Sequence, residues 1–514
     1  MLVGLILHVL SLPKKLNECV KNWSLKSTVL YFCRIVYKVV MDKDYYWIVD
    51  IGSTSLRVFA VYLDGRMQLL ASYPLVTEFN GEYAEYDAHT LQTILQQTLQ
   101  TFPSQGVALA AGIACQRSTV MIWNKQSGQP LHAALSWADR RAHAWMQTVS
   151  VDPHWVRSIT GLRWSPYYGI GKLRWLLQHV PEAEILKQQQ CLGLGPLVSF
   201  AVQQLTGQYS VDESIAARTL LWNVVQRGWE APLCALAQIP MELLPPVKST
   251  LADYGYLHAR NIPLKLVIAD QSAALHALDV PDDAVFINIG TGAFMFCRAP
   301  LATWNDAALL NSLISSDANQ QSFAIEATVN GAGAALQWAA QHLGLSDAEL
   351  KTCTSNFEKI KAPPVFINTV SGLGSPWWQA GDETRWLDAE TISTDAKIAG
   401  VIESIIFLIA HNIERMAHHL RLREIYLSGG VSNIAGFAQC LANLTDMPVK
   451  LAQQSETTVY GAARLLANSI NAASLAPLTL SAAFMPSTES NQRIALRSRY
   501  HVLLKHLPAS EPVL

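Results

Sequence analysis

The chain has 514 residues, too many for one hydrophobic core, so two large domains are expected. Half of the residues are hydrophobic and 15% are charged, which excludes a disordered chain. A net charge of −2 leaves no basic footprint for nucleic acid, and eight scattered cysteines without a CxxC pair read as free thiols in a reducing compartment, not as a disulfide or zinc framework.

Residues 1–40 stand apart. Residues 1–12 are nearly all apolar; Pro13-Lys14-Lys15 and a basic stretch with Lys21, Lys26, Arg34 and Lys38 follow. A signal peptide has the opposite order, and the apolar run is too short to cross a bilayer. The segment reads as an extension outside the fold, with a weak amphipathic membrane anchor as the alternative.

Residues 45–62 read as two strands around a turn at Gly52, and Leu63-Asp64-Gly65-Arg66 as a second hairpin, because Asp-Gly favours tight turns. Residues 91–102 have helical spacing. Residues 107–114 form an apolar strand that ends at Gln116-Arg117-Ser118, residues 120–123 resume a strand, and residues 171–179 begin a helix. A buried strand over 262–269 ends at Asp270, with helix over 273–278. This alternation indicates α/β architecture. Beyond Asp282-Asp283 a second half begins. Residues 323–338 run strand, glycine turn (Gly331, Gly333), helix; 365–367 and 372–377 form a strand and a loop; 398–420 is a long helix. Residues 424–427 form a strand ended by Ser428-Gly429-Gly430, and 459–467 a helix. The expected division is an N-terminal domain over 41–282, a C-terminal domain over 283–470 and a tail with a helix over 471–514.

Two segments share one design, with turn glycines 238 positions apart (290 − 52). Trp47-Ile-Val-Asp-Ile-Gly-Ser-Thr-Ser-Leu-Arg57 and Val285-Phe-Ile-Asn-Ile-Gly-Thr-Gly-Ala-Phe294 each run through an apolar stretch, a polar residue (Asp50 or Asn288), Ile-Gly and a hydroxyl residue. Such turns expose backbone N–H groups that cradle phosphate. A pair of them suggests a duplicated fold with a nucleotide between the halves. No GxxxxGK[ST], GxSxG or HExxH motif is present, so phosphate must be held by these backbone turns.

Asp50, beside the first turn, is placed to hold Mg²⁺ directly or through water, or merely to cap the turn. Alternation puts Arg57 on the same face, for phosphate or for solvent. Asp270 stands where a strand gives way to a helix, the place where open α/β sheets meet ligands. A kinase needs a carboxylate there to take the acceptor proton, yet Asp is also a favoured N-cap. Arg117, Trp137 and Tyr167 suit a polyol, whose apolar side packs on rings and whose hydroxyls accept from a guanidinium; taken singly, each reads more readily as a core ring or a solvated charge. Gly429-Gly430 permits close approach of a flat ligand, or is a tight turn only.

In order along the chain, these pieces resemble the FGGY family of carbohydrate kinases, over about residues 45–505. Asp50-Ile-Gly-Ser-Thr-Ser-Leu-Arg57 is similar to the first phosphate motif. Gly112-Ile-Ala-Cys-Gln-Arg-Ser-Thr119, Ser136-Trp-Ala-Asp-Arg-Arg141, Pro166-Tyr-Tyr168 and Lys172-Leu-Arg-Trp175 are similar to the glycerol-kinase-like substrate region. Ala269-Asp-Gln-Ser-Ala-Ala274 is similar to the catalytic segment and Ile289-Gly-Thr-Gly292 to the second phosphate motif. Gly372-Leu-Gly-Ser-Pro-Trp377, Leu427-Ser-Gly-Gly-Val-Ser-Asn433 and Glu456-Thr-Thr-Val-Tyr-Gly-Ala-Ala463 are similar to the adenosine side and the last family block.

The resemblance implies two ribonuclease-H-like (actin/hexokinase-like) domains with a nucleotide cleft between them. It implies MgATP-dependent phosphorylation of a sugar or polyol hydroxyl by a cytoplasmic enzyme, with a homodimer as one compatible assembly. Asp270 is then the general base, and Asp50 and Asp270 serve the metal. Ser53, Thr54, Ser55, Arg57, Thr291 and Gly292 hold phosphates. Gly333 and Gln337 lie near the nucleotide, and Gly430 and Asn433 near adenine. Arg117, Ser118, Trp137, Tyr167, Asp270 and Gln271 line the acceptor pocket. Ser118 departs from the glycerol-kinase pattern, which has Glu there, and Cys115 stands where the family often has Asn. Loss of that carboxylate weakens the case for a glycerol-sized acceptor and leaves ketoses open. The alternatives are a catalytically weak nucleotide-binding regulatory member of the same superfamily, a sugar kinase of another branch, and an actin-like polymer.

Overall fold

The structure, a computed structural model, describes residues 43–258, 260–301, 306–388, 391–469 and 474–509. The extension assigned to residues 1–40 lies outside the described residues.

Two sheets of one topology organise the chain. The first contains β1 (Tyr45–Ile51), β2 (Ser55–Tyr62), β3 (Met67–Pro74), β4 (Ala108–Cys115) and β5 (Leu264–Ala269), in the order β5-β4-β1-β2-β3. β1 runs antiparallel to β2 and parallel to β4. The second contains β6 (Ala284–Ile289), β7 (Ala293–Arg298), β8 (Leu310–Ser316), β9 (Gln321–Val329), β10 (Glu424–Ser428) and β11 (Val449–Leu451), in the order β8-β9-β7-β6-β10-β11. Here β6 runs antiparallel to β7 and parallel to β10. β1, β2, β3, β4 and β5 thus correspond to β6, β7, β9, β10 and β11, and β8 is an added edge. Asp50 pairs in register with Arg57 and Ala114, and Asn288 with Phe294 and Ser428, so the two polar residues occupy equivalent positions. Every residue of β1 is buried, as a strand covered on both faces requires.

An apolar layer joins the two sheets. It gathers Tyr46, Ile48 and Phe59 from one, Phe286 and Phe296 from the other, and residues of two helices between them. Helix α1 spans Gly169–His179; the two central helices are α2 (Asp270–Leu275) and, further along, the one over Thr457–Ser469. They cross so closely that a Cβ on Gly461 would lie 1.9 Å from the Ala273 carbonyl oxygen, so only glycine fits there. α3 (Gly333–Leu343) and α4 (Thr394–Ala417) cover the second sheet, α5 is Thr457–Ser469 and α6 is Ser490–Lys505. Helix α4 is long and apolar enough to cross a membrane, but 89% of its most apolar window is buried in the fold, which makes it a core helix. A five-stranded antiparallel sheet (Glu78–Asn80, Tyr83–Tyr86, Ala134–Leu135, Val120–Asn124, Leu192–Pro196) extends the first half.

Candidate active site

Both glycine turns are closed by a main-chain hydrogen bond from the glycine, the first turn being one residue longer than the second. Gly52 N–H donates to the Ser55 carbonyl at 3.0 Å, and Gly290 N–H to the Gly292 carbonyl at 2.9 Å. Thr54 and Thr291 are exposed, and Ser53 and Ser55 half-buried. The second turn is stitched to the start of α3: the N–H groups of Gly333 and Ala334 donate to the carbonyls of Gly290 and Thr291 at 3.0 and 2.9 Å. A Cβ on Gly333 would lie 2.6 Å from the Gly290 oxygen, so this approach needs glycine. Gln337 is exposed one turn further along α3. At the end of β10, Gly429 takes φ +92, while Gly430 faces open space and Asn433, also exposed, donates to the Gly429 carbonyl at 3.4 Å.

Asp50 is buried and accepts from Arg57 Nη2 at 2.6 Å, while Arg57 Nη1 reaches Glu456 at 2.8 Å. Glu456 immediately precedes α5, so Arg57 ties the first half of the chain to the second. Burial pushes the Asp50 carboxyl up, against the pull of Arg57.

Asp270 is the first residue of α2; the N-cap is Ala269, which supplies no side-chain cap. The Asp270 carboxylate accepts from Gln271 N–H at 2.7 Å and from Gln271 Nε2 at 3.3 Å. The amide chain continues: Asn288 Nδ2 donates to Gln271 Oε1 at 3.0 Å, and Ser428 Oγ donates to Asn288 Oδ1 at 3.1 Å. Burial pushes the Asp270 carboxyl up to about 6, with Arg117 pulling down and Asp50 pushing further up. The three charges therefore share one electrostatic neighbourhood.

Arg117 and Ser118 follow β4. Both terminal nitrogens of Arg117 donate to Glu326 of β9 at 2.8 Å, and Arg218 and Ser312 also donate to this carboxylate. Burial would raise the Glu326 carboxyl, but the two guanidiniums outweigh it and hold it at about 2. The Arg117 guanidinium also lies 5.3 Å from the Phe294 ring centroid, just past the second glycine turn. Ser118 has φ +66, a strained conformation for a residue with a side chain. Trp137 N–H donates to Thr119 Oγ1 at 3.0 Å, and Thr119 Oγ1 to Gln116 Oε1 at 2.9 Å. Gln116 Nε2 then reaches the Gly52 carbonyl at 2.9 Å. The Trp137 main chain is thereby wired to the first glycine turn. Tyr167 is half-buried, with the Arg140 guanidinium 5.9 Å from its ring.

Among the candidates, Asp50 joins Arg57, and Asp270 joins Gln271 and the field of Arg117. Gln337 and Asn433 sit exposed at the edge. Gln116, Asn288, Glu326 and Glu456 enter the site although sequence reasoning gave them no role. Glu326 carries one visible signal, as the only charged residue in the run Phe323-Ala-Ile-Glu-Ala-Thr-Val329. No cluster of three or more His, Cys, Asp or Glu side chains suited to a metal occurs among the described residues.

Known proteins resemble this chain over most of its length. The family model for the N-terminal domain of the FGGY family of carbohydrate kinases matches residues 45–265, and the model for its C-terminal domain matches residues 285–470. A glycerol kinase of Allorhizobium ampelinum is 30% identical over 452 residues, covering 82% of this chain and 89% of the relative. A glycerol kinase of Mycoplasma genitalium is 28% identical, covering 82% and 88%. Among solved structures, Plasmodium falciparum glycerol kinase with ADP superposes with a TM-score of 0.75 at 20% identity, covering 91% of this chain and 99% of that one. Ligand-bound xylulose kinase from Lactobacillus acidophilus gives 0.74 at 17% identity, covering 90% and 97%.

Proposed function

The chain belongs to the FGGY family of carbohydrate kinases, and as an ATP-dependent kinase of a sugar or polyol hydroxyl it needs a group to take the hydroxyl proton; we propose that this group is Asp270. The supporting observation is a half-buried carboxylate at a strand–helix junction, raised to about 6 and aimed by Gln271. Such a group is ionised at neutral pH yet basic enough to accept a proton as the new bond forms. The acceptor O–H proton passes to Asp270, the freed oxygen attacks the terminal phosphorus, and the bond to the leaving ADP oxygen breaks; Asp270 then returns the proton to solvent.

The backbone turns at Ser53–Ser55 and Thr291–Gly292, together with Arg57, hold the phosphates, and Gly333, Gln337, Gly430 and Asn433 border the rest of the nucleotide. Gly430 supports this reading, because nothing stands within 4 Å of where its Cβ would be. Asp50 and Asp270, whose carboxylates feel each other's charge, would hold Mg²⁺ as its protein ligands, since that ion keeps several waters and takes phosphate oxygens. When bound it neutralises charge developing on the transferred group. Arg117, Trp137 and Tyr167 line the acceptor pocket, with Ser118 and Gln271 beside them. Six free cysteines among the described residues fit a cytoplasmic enzyme.

The acceptor class we favour is a ketose or a polyol longer than glycerol, because Ser118 offers no carboxylate to glycerol's hydroxyls. A panel of polyols and ketoses, glycerol included, assayed for acceptor-stimulated ADP release tests both levels. Absence of stimulation by every acceptor defeats the general-base assignment along with turnover; glycerol as the best acceptor defeats the acceptor class alone.

A further inference from the structure

Lys172 is fully buried in helix α1, and its ammonium is spent on main chain. Nζ donates to the Ser136 carbonyl and to the Tyr167 carbonyl, each at 2.9 Å. Burial of an amine is costly, and an apolar side chain of similar length would fill the same space without that cost. What an apolar chain cannot do is tie two carbonyls from separate loops to one point.

Those loops carry Trp137 and Tyr167. The Ser136 carbonyl and the Trp137 N–H belong to one peptide plane. Lys172 holds its oxygen, and Thr119 Oγ1 accepts its N–H at 3.0 Å. Both polar ends of the plane that launches Trp137 are therefore pinned. The Tyr167 carbonyl is pinned by the same ammonium. The helix that carries Lys172 is itself seated without slack: a Cβ on Gly171 would lie 2.3 Å from the Ala142 Cβ, and one on Gly169 would lie 3.0 Å from the Thr219 Cα. Burial also lowers the Lys172 amine to about 7, but a neutral amine keeps two N–H donors for the two carbonyls.

We propose that Lys172 is a positioning residue that fixes the separation of Trp137 and Tyr167 across the acceptor pocket and so sets which acceptors fit. The proposal rests on the reading that these two rings line that pocket. In this role Lys172 touches no reacting atom. Its removal should change acceptor affinity and ranking while leaving the nucleotide side alone.

The test uses the full chain with Lys172→Met, assayed with glycerol and with xylulose as acceptors. Expected is a rise of about tenfold or more in acceptor KM, a changed ratio of kcat/KM between the two acceptors, and an ATP KM within about twofold of wild type. Lys172→Gln, a shorter side chain that keeps N–H donors without charge, should show a smaller rise; it also serves if the Met variant does not fold. A folded variant with unchanged acceptor KM overturns the proposal, and so does an equal rise in both KM values, which marks general loosening. Trp137→Ala and Tyr167→Ala separate the underlying reading: if neither alters acceptor KM, the pocket assignment fails, whatever Lys172 does.

Discussion

Arg57 reaches across the first hairpin to Asp50, its register partner, and closes an ion pair of 2.6 Å. The equivalent strand of the second half has Asn288 in place of Asp50 and Phe294 in place of Arg57. Duplication thus produced one charged turn and one neutral turn. Asn288 uses its amide to join Gln271 to Ser428, which a carboxylate could not do, because an ionised carboxylate has no N–H to donate. The charged side keeps a guanidinium beside the first glycine turn, held by two carboxylates, Asp50 and Glu456.

The proposed role of Arg57 is on the nucleotide side, away from the acceptor. Arg57→Ala is expected to raise ATP KM by about 10- to 100-fold, the range of a charge-assisted contact of about 1.5–3 kcal/mol. Acceptor KM should change by less than about threefold. Steady-state kinetics with each substrate varied in turn decide the matter; an acceptor KM that moves as far as ATP KM refutes the separation.

Asp270→Asn should lower kcat by about 10²- to 10⁴-fold, the usual share of a general base, while leaving acceptor binding detectable. In wild type, kcat/KM should rise with pH through about 6 as the carboxyl ionises. Stability has the opposite sign. The folded value of about 6 exceeds the ordinary 3.8, so the native state binds the extra proton between them. Stability is therefore lost as pH rises from about 4 through about 6. The Asn variant removes the partly desolvated charge, so its Tm at pH 8 should exceed that of wild type, with the gap closing toward pH 4. A lower Tm at pH 8 would contradict the burial account.

Much of this frame is written locally. β1 and the turn after it follow from an apolar run, Gly52 and two hydroxyl residues, and the structure gives strand over Tyr45–Ile51 and Ser55–Tyr62. Asp270 stands out because β5 is apolar up to it, although the helix starts on Asp270 and not after it. What stayed hidden are the pairings. Arg117 and Glu326 are 209 residues apart, and no periodicity reveals that one carboxylate holds two guanidiniums. Lys172 carries no local sign of burial in the sequence, yet it is among the largest fully buried side chains. Fully buried polar groups find distant partners, and distance along the chain erases the local signal that turns and strands leave.

Glu326 should be a keystone of stability more than of chemistry. It is fully buried and holds both Arg117 and Arg218, so Glu326→Ala leaves two guanidiniums without their anion. The expected loss is about 3–5 kcal/mol, with Glu326→Gln milder because it keeps one acceptor. Denaturant unfolding measures this. In wild type the carboxyl sits at about 2 against an ordinary 4.5, so its contribution is present above about 4.5 and is lost as pH falls toward 2. A variant whose midpoint tracks wild type through that window would show that the pair is energetically neutral.

Ser118 carries the acceptor question. Glycerol kinases usually have Glu at this position after the Gln-Arg pair, and here a small hydroxyl residue sits on a left-handed backbone beside Arg117. The strain argues that the turn, and not the residue, dictates the conformation, because serine gains nothing from φ +66. A Glu placed there inherits the same backbone and points a carboxylate where none now stands. Ser118→Glu should therefore lower glycerol KM by about 10-fold or more, the value of one hydrogen bond from a hydroxyl to a charged acceptor, and should leave ATP KM unchanged. Ketose turnover should fall in the same variant, since the added side chain takes up room. Parallel kinetics with glycerol and xylulose measure the switch. If Ser118→Glu leaves both acceptors where they were, position 118 does not face the acceptor, and discrimination must come from Trp137, Tyr167 and the Lys172 tie that spaces them.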